Sequence, residues 1–272
     1  MTHPPHRFWP CRLLAVALSL ILAVLAIARP GAAQPFYYFY PDSPQSNIGL
    51  LKREMDRFLA SVDPHLTFQP FVHLVDLERQ LAAAPPALAV MPAWLLSRHG
   101  AALGLVPLLR PVQDGATSYR KVLLVAKDAG LTPGTLAGRT VATTSLGATP
   151  GDLLEAMLPP DSGVRVRELR VVTVPKDFDA LLALVFRQVD AALVVKHNLA
   201  AISAANPTLT ANLLPLLETG EMPLPVLCYR HGILSADQLE RLRHALAATE
   251  ASSSRIQLLE ALQIDGWQTI AH

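Results

Sequence analysis

Short apolar runs alternate with amphipathic segments along most of this 272-residue chain, and this alternation restricts its fold more than any other feature. In the segment 47–62, for example, Leu51 and Met55 fall on one helical face, whereas Lys52 and Asp56 fall on the other. Pro- and Gly-rich breakers separate the segments, as turns require. Such repeated βα units predict an α/β fold in which mostly parallel sheets are flanked by helices.

The predicted elements are short and follow one another closely. The predicted strands span residues 34–40, 66–68, 87–91, 103–109, 121–127, 139–143, 165–174, 189–195 and 225–229. The predicted helices span residues 47–62, 74–81, 177–188, 236–248 and 253–262, and a further helix begins near residue 150.

Composition excludes several classes of protein. With 51% hydrophobic and 17% charged residues, the chain is too apolar to be disordered. Its length favours two domains. The net charge of +1 offers no basic surplus, so we expect no nucleic-acid partner. Cys11 and Cys228 are too few for a zinc ribbon or a disulfide framework.

The first 33 residues have the pattern of a signal peptide. Arg7 and Arg12 precede an unbroken apolar run, 13–27, which is followed by small residues up to Ala33. At about 15 residues the run suits a signal-peptide core better than a membrane span of roughly 20 residues. We therefore predict cleavage after Ala33 and a mature protein that is secreted or periplasmic; an uncleaved N-terminal anchor is the alternative.

Four segments, in this order and spacing, resemble one family. They are Asp114–Arg120 with Val122–Val125, Leu136–Ala142, Val189–Val194 and Leu262–Trp267. Over residues 36–270 the chain resembles a type 2 periplasmic binding protein, of the phosphate, phosphite and phosphonate group of ABC transporter substrate-binding proteins. The resemblance implies two α/β lobes between which the chain crosses twice, with lobe one at 34–118 plus 226–272 and lobe two at 119–225. It also implies a ligand in the cleft between the lobes and a hinge motion at the crossings.

The loop 143–152 is the best chemical candidate for a binding element. A strand ends, small residues follow, and a helix begins, so that free N–H groups and the positive end of the helix dipole could face an anion. The resemblance implies that hydroxyls and amides of this loop hold phosphonate oxygens. Here, however, Ala148 has no hydroxyl, Pro150 has no N–H, and Asp152 would repel an oxyanion at about 4 Å by roughly 4 kcal/mol. An anion site and a self-capped helix without a ligand both remain open.

Position in the implied fold supplies the other candidates. The predicted ligand-binding residues are Tyr38, Tyr40, Met91, Trp94, Ser118, Tyr119, Thr144, Ser145, Thr149, Gly151, Lys196 and His197. Several of them have a structural alternative: a surface position or lobe packing for the two tyrosines of the first strand, packing within lobe one for the tryptophan, a hinge role for Ser118 and Tyr119, and helix capping for Lys196 and His197. A copper site formed by Met91, His197 and Met222 is a further alternative.

Motifs for metal binding and catalysis are absent from the sequence. No pair of histidines in the mature chain has metal-ligand spacing, and no nucleophile elbow, phosphate-binding loop or dinucleotide-binding motif occurs. We therefore expect no cofactor, no metal and no enzymatic activity. The predicted function is that of a monomeric periplasmic protein that captures a small ligand, such as an oxyanion or a phosphonate-like compound, for the permease of an ABC importer. The alternative is a sensory or accessory binding protein of the same fold that works without a transporter.

Overall fold

The computed structural model describes residues 33–45, 47–146, 150–248 and 252–270, and for residues 150–152 the backbone alone. The predicted signal peptide, apart from its last residue, lies outside these ranges. Within them, no helix combines the length and the apolar character that a membrane crossing needs.

The strands form two larger sheets and one short ladder. They are β1 (Gln34–Tyr38), β2 (Leu66–Pro70), β3 (Leu88–Met91), β4 (Leu105–Val112), β5 (Ser118–Tyr119), β6 (Lys121–Ala126), β7 (Thr140–Thr143), β8 (Arg170–Thr173), β9 (Ala191–Val195), β10 (Leu213–Glu218), β11 (Met222–Pro223), β12 (Val226–Arg230) and β13 (Gly266–Thr269). The helices are α1 (Ile48–Val62), α2 (Leu74–Ala83), α3 (Ala93–Leu103), α4 (Pro150–Met157), α5 (Asp177–Val185), α6 (Lys196–Ala205), α7 (Pro207–Thr210), α8 (Ala236–Ala247) and α9 (Ser253–Leu262).

Both larger sheets are mixed. The first has the order β13-β4-β12-β3-β1-β2 and the second the order β10-β6-β9-β7-β8. The α/β class is confirmed, but parallel pairing is restricted to three adjacent strands in each sheet, namely β3-β1-β2 and β9-β7-β8. Helices connect these parallel strands, as parallel neighbours require. The strands next to the crossings between the sheets pair in antiparallel fashion, which the sequence pattern did not indicate.

The chain passes between the sheets at a two-stranded ladder. In this ladder β5 pairs with β11, with Met222 opposite Tyr119 and Pro223 opposite Ser118. The strands of the first sheet come from residues 34–112 and 226–269, and those of the second from residues 121–218. We call the elements built on the first sheet lobe one and those built on the second sheet lobe two; the residue boundaries of the lobes stay a prediction.

Successive side chains along a strand point to opposite faces of the sheet, and apolar side chains therefore form a core on both faces of each sheet. In β1 and the residues after it, Phe36 and Tyr38 pack against the α1 side, while Tyr37 and Phe39 pack against the opposite side. Burial of each such side chain stabilises the fold by about 1.5–3 kcal/mol. Lobe two repeats the arrangement in β6, whose side chains enter two clusters alternately. The first strand is thereby packed on both faces, and this packing positions the residues that follow it.

Candidate functional site

A buried carboxylate after the first strand connects the two lobes. Asp42 lies in the turn that follows β1 and is only 4% exposed. Its Oδ1 lies 2.7 Å from Nζ of Lys121 and also accepts a hydrogen bond from the hydroxyl of Thr144. Its Oδ2 accepts a hydrogen bond of 2.6 Å from the hydroxyl of Tyr119. Both carboxylate oxygens therefore have donors, as a charge removed from water requires.

The donors come from positions that the fold fixes. Lys121 is the first residue of the otherwise apolar strand β6 and is fully buried. Its Nζ also donates to Oγ1 of Thr144 at 2.7 Å, and its backbone N–H donates to Oγ1 of Thr219. Thr144 directly follows β7, so the ends of two lobe-two strands bring the ammonium and the hydroxyl together. We call Asp42, Lys121, Tyr119 and Thr144 the Asp42 cluster.

A second buried carboxylate adjoins this cluster. Asp177, at the start of α5, is 4% exposed, and its Oδ2 accepts from the backbone N–H of Val195 at 3.0 Å and from Nδ2 of Asn198 at 2.7 Å. Nδ2 of Asn198 also donates to the backbone oxygen of Asp42 at 3.1 Å. Oδ1 of Asp177 and Oδ1 of Asn198 have no hydrogen-bond partner among the described residues. Each of these two residues thus has one buried acceptor oxygen without a donor among the described residues.

Burial shifts several of these groups toward their neutral forms. It raises the pKa of Asp177 to about 6, against the attraction of Lys121 and with the repulsion of Asp42. Burial also raises the pKa of Tyr119 well above its usual value, and the nearby Asp42 carboxylate adds to this effect. Burial lowers the pKa of Lys176, although nearby carboxylates oppose this change. Tyr119 therefore remains a hydrogen-bond donor throughout the physiological pH range.

Two cavities lie on either side of α6. The first, which we call the Asp177 cavity, has a volume of about 350 Å³. Its polar lining comes from Ser43, Lys176, Asp177, Asn198 and Gln263. Apolar side chains on α5 and α6 complete its wall. Acidic, basic and amide groups from both lobes thus face one space.

The second cavity, which we call the crossing cavity, has a volume of about 380 Å³ and lies beside the β5–β11 ladder. Ser118, Tyr119, Lys196 and His197 contribute to its lining. Nδ1 of His197 lies 2.6 Å from Oδ2 of Asp114, which is an exposed ion pair between the lobes when the histidine is protonated. The structure therefore brings four of the predicted residues together, and their role in binding stays a prediction.

The remaining predicted residues are dispersed. Met91 is fully buried in the lobe-one core, and Trp94 packs edge-on against Phe39 in the same core, with ring centroids 6.4 Å apart. Tyr38 and Tyr40 are buried in the other lobe-one cluster.

Loop 143–152 is only partly described. Ser145 lines a smaller cavity of about 120 Å³ together with Pro41 and Thr173. Thr149 lies outside the described residues, and for Gly151 only its place in α4 is described. Whether this loop holds an anion stays a prediction.

Asp42, Lys121, Asp177 and Asn198 were not among the predicted binding residues. The signal for Lys121 was its place at the head of an apolar strand. The described ranges contain no group of three or more His, Cys, Asp or Glu side chains that could hold a metal ion.

Comparison with known proteins assigns the chain to a class. The model of a family described as "ABC transporter, phosphonate, periplasmic substrate-binding protein" matches residues 90–272. Since this match covers more than half of the 272-residue chain, the chain belongs to this family of periplasmic substrate-binding proteins. No curated protein matches the chain.

Solved structures support the same fold. The binding protein component of an ABC phosphonate transporter from Pseudomonas aeruginosa is 16% identical, with a TM-score of 0.71 over 88% of this chain and 82% of that one. PhnD1 from Prochlorococcus marinus, solved with methylphosphonate, is 13% identical, with a TM-score of 0.69 over 87% of this chain and 92% of that one. A Xanthomonas citri protein solved with ATP is 14% identical, with a TM-score of 0.65 over 88% of this chain and 91% of that one. At such low identity these similarities concern the fold, so the ligand must be argued from this chain's own residues.

Proposed function

We propose that this protein is the periplasmic, non-enzymatic ligand-capturing component of an ABC importer, and that it delivers a small molecule to a permease in the inner membrane. The family match supports the transporter role over a transporter-independent one. The observation that carries the proposal is the buried polar cluster to which both lobes contribute, because buried polar groups between two lobes can couple ligand capture to closure. The lobes would correspond to 34–118 plus 226–272 and to 119–225, with the β5–β11 ladder as the hinge.

The Asp177 cavity favours a small zwitterionic ligand. Asp177 and Asn198 line this cavity, and the Oδ1 atom of each has no hydrogen-bond partner among the described residues, so an ammonium group of a ligand would supply the missing donors. The ammonium of Lys176 lines the same cavity and would face an anionic group of the ligand. A cavity of about 350 Å³ suits a molecule with few heavy atoms. An aminoalkylphosphonate, with one ammonium and one phosphonate group, has this chemistry.

A binding experiment with two matched lysine variants tests this proposal. Lys176→Met removes the cation of the Asp177 cavity, and Lys196→Met removes an exposed lysine that lines the crossing cavity and pairs with Glu218 at 3.0 Å. We expect 2-aminoethylphosphonate to raise the Tm of the wild type, since ligand at 100 times its Kd stabilises by about 2.7 kcal/mol. Lys176→Met should weaken binding at least tenfold in calorimetry, and Lys196→Met should leave it unchanged.

Other outcomes would each reject part of the proposal. Loss of binding in Lys196→Met with retention in Lys176→Met would place the ligand in the crossing cavity. Equal stabilisation by methylphosphonate and 2-aminoethylphosphonate would show that no ammonium is recognised. Deletion of the gene should abolish uptake of the bound compound; unchanged uptake would contradict the transport role.

A further inference from the structure

The Asp42 carboxylate has the surroundings of a bound oxyanion. The hydroxyls of Thr144 and Tyr119 donate to its two oxygens, and the ammonium of Lys121 lies 2.7 Å from Oδ1. Lys121 is fully buried, and Asp42 is the only carboxylate within 4.0 Å of its Nζ among the described residues. The charge of this ammonium is therefore neutralised from within the chain.

The carboxylate and its donors belong to different parts of the fold. Asp42 follows the first strand of lobe one, whereas Lys121 and Thr144 lie at the ends of lobe-two strands and Tyr119 lies at the crossing. Nδ2 of Asn198 in α6 donates to the backbone oxygen of Asp42 at 3.1 Å and adds a further lobe-two contact to this residue. The donors thus come from lobe two and from the crossing, and lobe one places an anionic group among them.

We infer that Asp42 is an intramolecular ligand and a specificity-determining residue: its carboxylate occupies the donors of Lys121, Tyr119 and Thr144, excludes free oxyanions from them, and leaves an oxyanion-binding site when it is removed. The inference rests on the proposed function insofar as it places this donor set in the ligand cleft. An external ligand of the wild type would accordingly direct its anionic group to another cation, such as Lys176.

Chemical rescue tests the inference. Asp42→Ala keeps Cβ and removes one carboxylate, and formate has the size of the group removed. The variant leaves a buried ammonium without its counterion, so its Tm should fall by roughly 10 °C. Sodium formate should then raise the Tm of the variant in a saturable manner, whereas sodium chloride at the same ionic strength should not. The wild type should show no saturable response to formate or to inorganic phosphate.

Two control variants separate this mechanism from general loosening of the lobes. Asp42→Ala combined with Lys121→Met removes the ammonium as well as the carboxylate, so it should regain stability without formate and should not respond to formate. Asp114→Ala removes the exposed contact with His197 between the lobes and should not respond to formate either.

The response of the variants to formate either supports or overturns the inference about Asp42. Formate rescue confined to Asp42→Ala, including folding that occurs only in formate, supports the inference. No rescue, or equal rescue of the double variant, would overturn it, as would an Asp42→Ala variant that stays unfolded in formate while the double variant folds. No importer ligand is present in these measurements. Rescue without aminoalkylphosphonate binding by the wild type would therefore refute the proposed ligand alone, and binding without rescue would refute the inference alone.

Discussion

Titration of the buried Asp177 carboxylate should make the stability of this protein depend on pH. Its pKa is about 6 in the folded protein, whereas the ordinary value is 3.8, so the folded state binds the proton more tightly than the unfolded chain does. The stabilisation from this proton is complete below the unfolded pKa and is lost as the pH rises through about 6. A difference of about two pH units corresponds to about 3 kcal/mol at most, of which about 2 kcal/mol would be lost between pH 4 and pH 8.

The substitution Asp177→Asn removes this titration and keeps most of the local geometry. In the wild type, the N–H of Val195 and Nδ2 of Asn198 both donate to Oδ2 of Asp177, and the amide oxygen of the variant can still accept from both. The free energy of unfolding of the variant, relative to the wild type, should therefore increase by about 2 kcal/mol from pH 4 to pH 8. Urea denaturation of both proteins across this range measures the difference directly.

A nearby carboxylate provides the control. Asp179 lies in the same helical turn and accepts a hydrogen bond from the backbone N–H of Lys176 at 3.1 Å. The free energy of unfolding of the Asp179→Asn variant should show the same pH dependence between pH 4 and pH 8 as that of the wild type, because Asp177 is still present. If the stability difference between Asp177→Asn and the wild type stays constant from pH 4 to pH 8, the argument from burial is refuted.

Two further predictions concern single side chains. Tyr119→Phe removes the hydroxyl that donates to Oδ2 of Asp42 and should lower the free energy of unfolding by about 2 kcal/mol, because hydrogen bonds to charged groups are the stronger ones; a loss within experimental error in urea denaturation would contradict the bond. Cys228 is fully buried, and burial raises the pKa of its thiol to about 12, so the folded protein should not be alkylated at this position at pH 8 and should react once unfolded. Peptide mapping by mass spectrometry after alkylation checks this, and rapid labelling of Cys228 in the folded protein would show that the site opens.

Local patterns were sufficient for most of the elements. Helix α1 occupies the segment in which apolar residues recur at helical spacing, and the side chain of Asn47 caps it by accepting from the N–H of Leu50. Strand β10 was missed because Pro215 interrupts it. The structure accommodates this proline at the edge of the second sheet, where the register shifts after Pro215. A proline argues against a central strand because it has no N–H to donate to a neighbouring strand. A single sequence, however, does not show which strand lies at the edge of a sheet.

The candidate site was less accessible to sequence reasoning. Tyr119 and Thr144 were predicted to contact a ligand, which stays a prediction; the sequence did not indicate that both donate to the Asp42 carboxylate. Asp42 is separated from Lys121 by 79 positions, the difference of their residue numbers, and neither residue lies in a motif that points to the other. Met91 and Trp94 show the same limit, because their place in the lobe-one core depends on how the sheet packs against α2 and α3.

The sequence by itself determined the alternation of strands and helices, the α/β class and the family, because hydrophobic periodicity and short motifs act between residues that are close in the chain. The tertiary structure alone decided which polar groups meet. Pairing a buried ammonium with a carboxylate requires the ends of strands from two sheets to come within hydrogen-bond distance, and that depends on strand order and on the crossings between the lobes. Long-range electrostatic complementarity therefore became visible only when the fold brought Asp42 to Lys121.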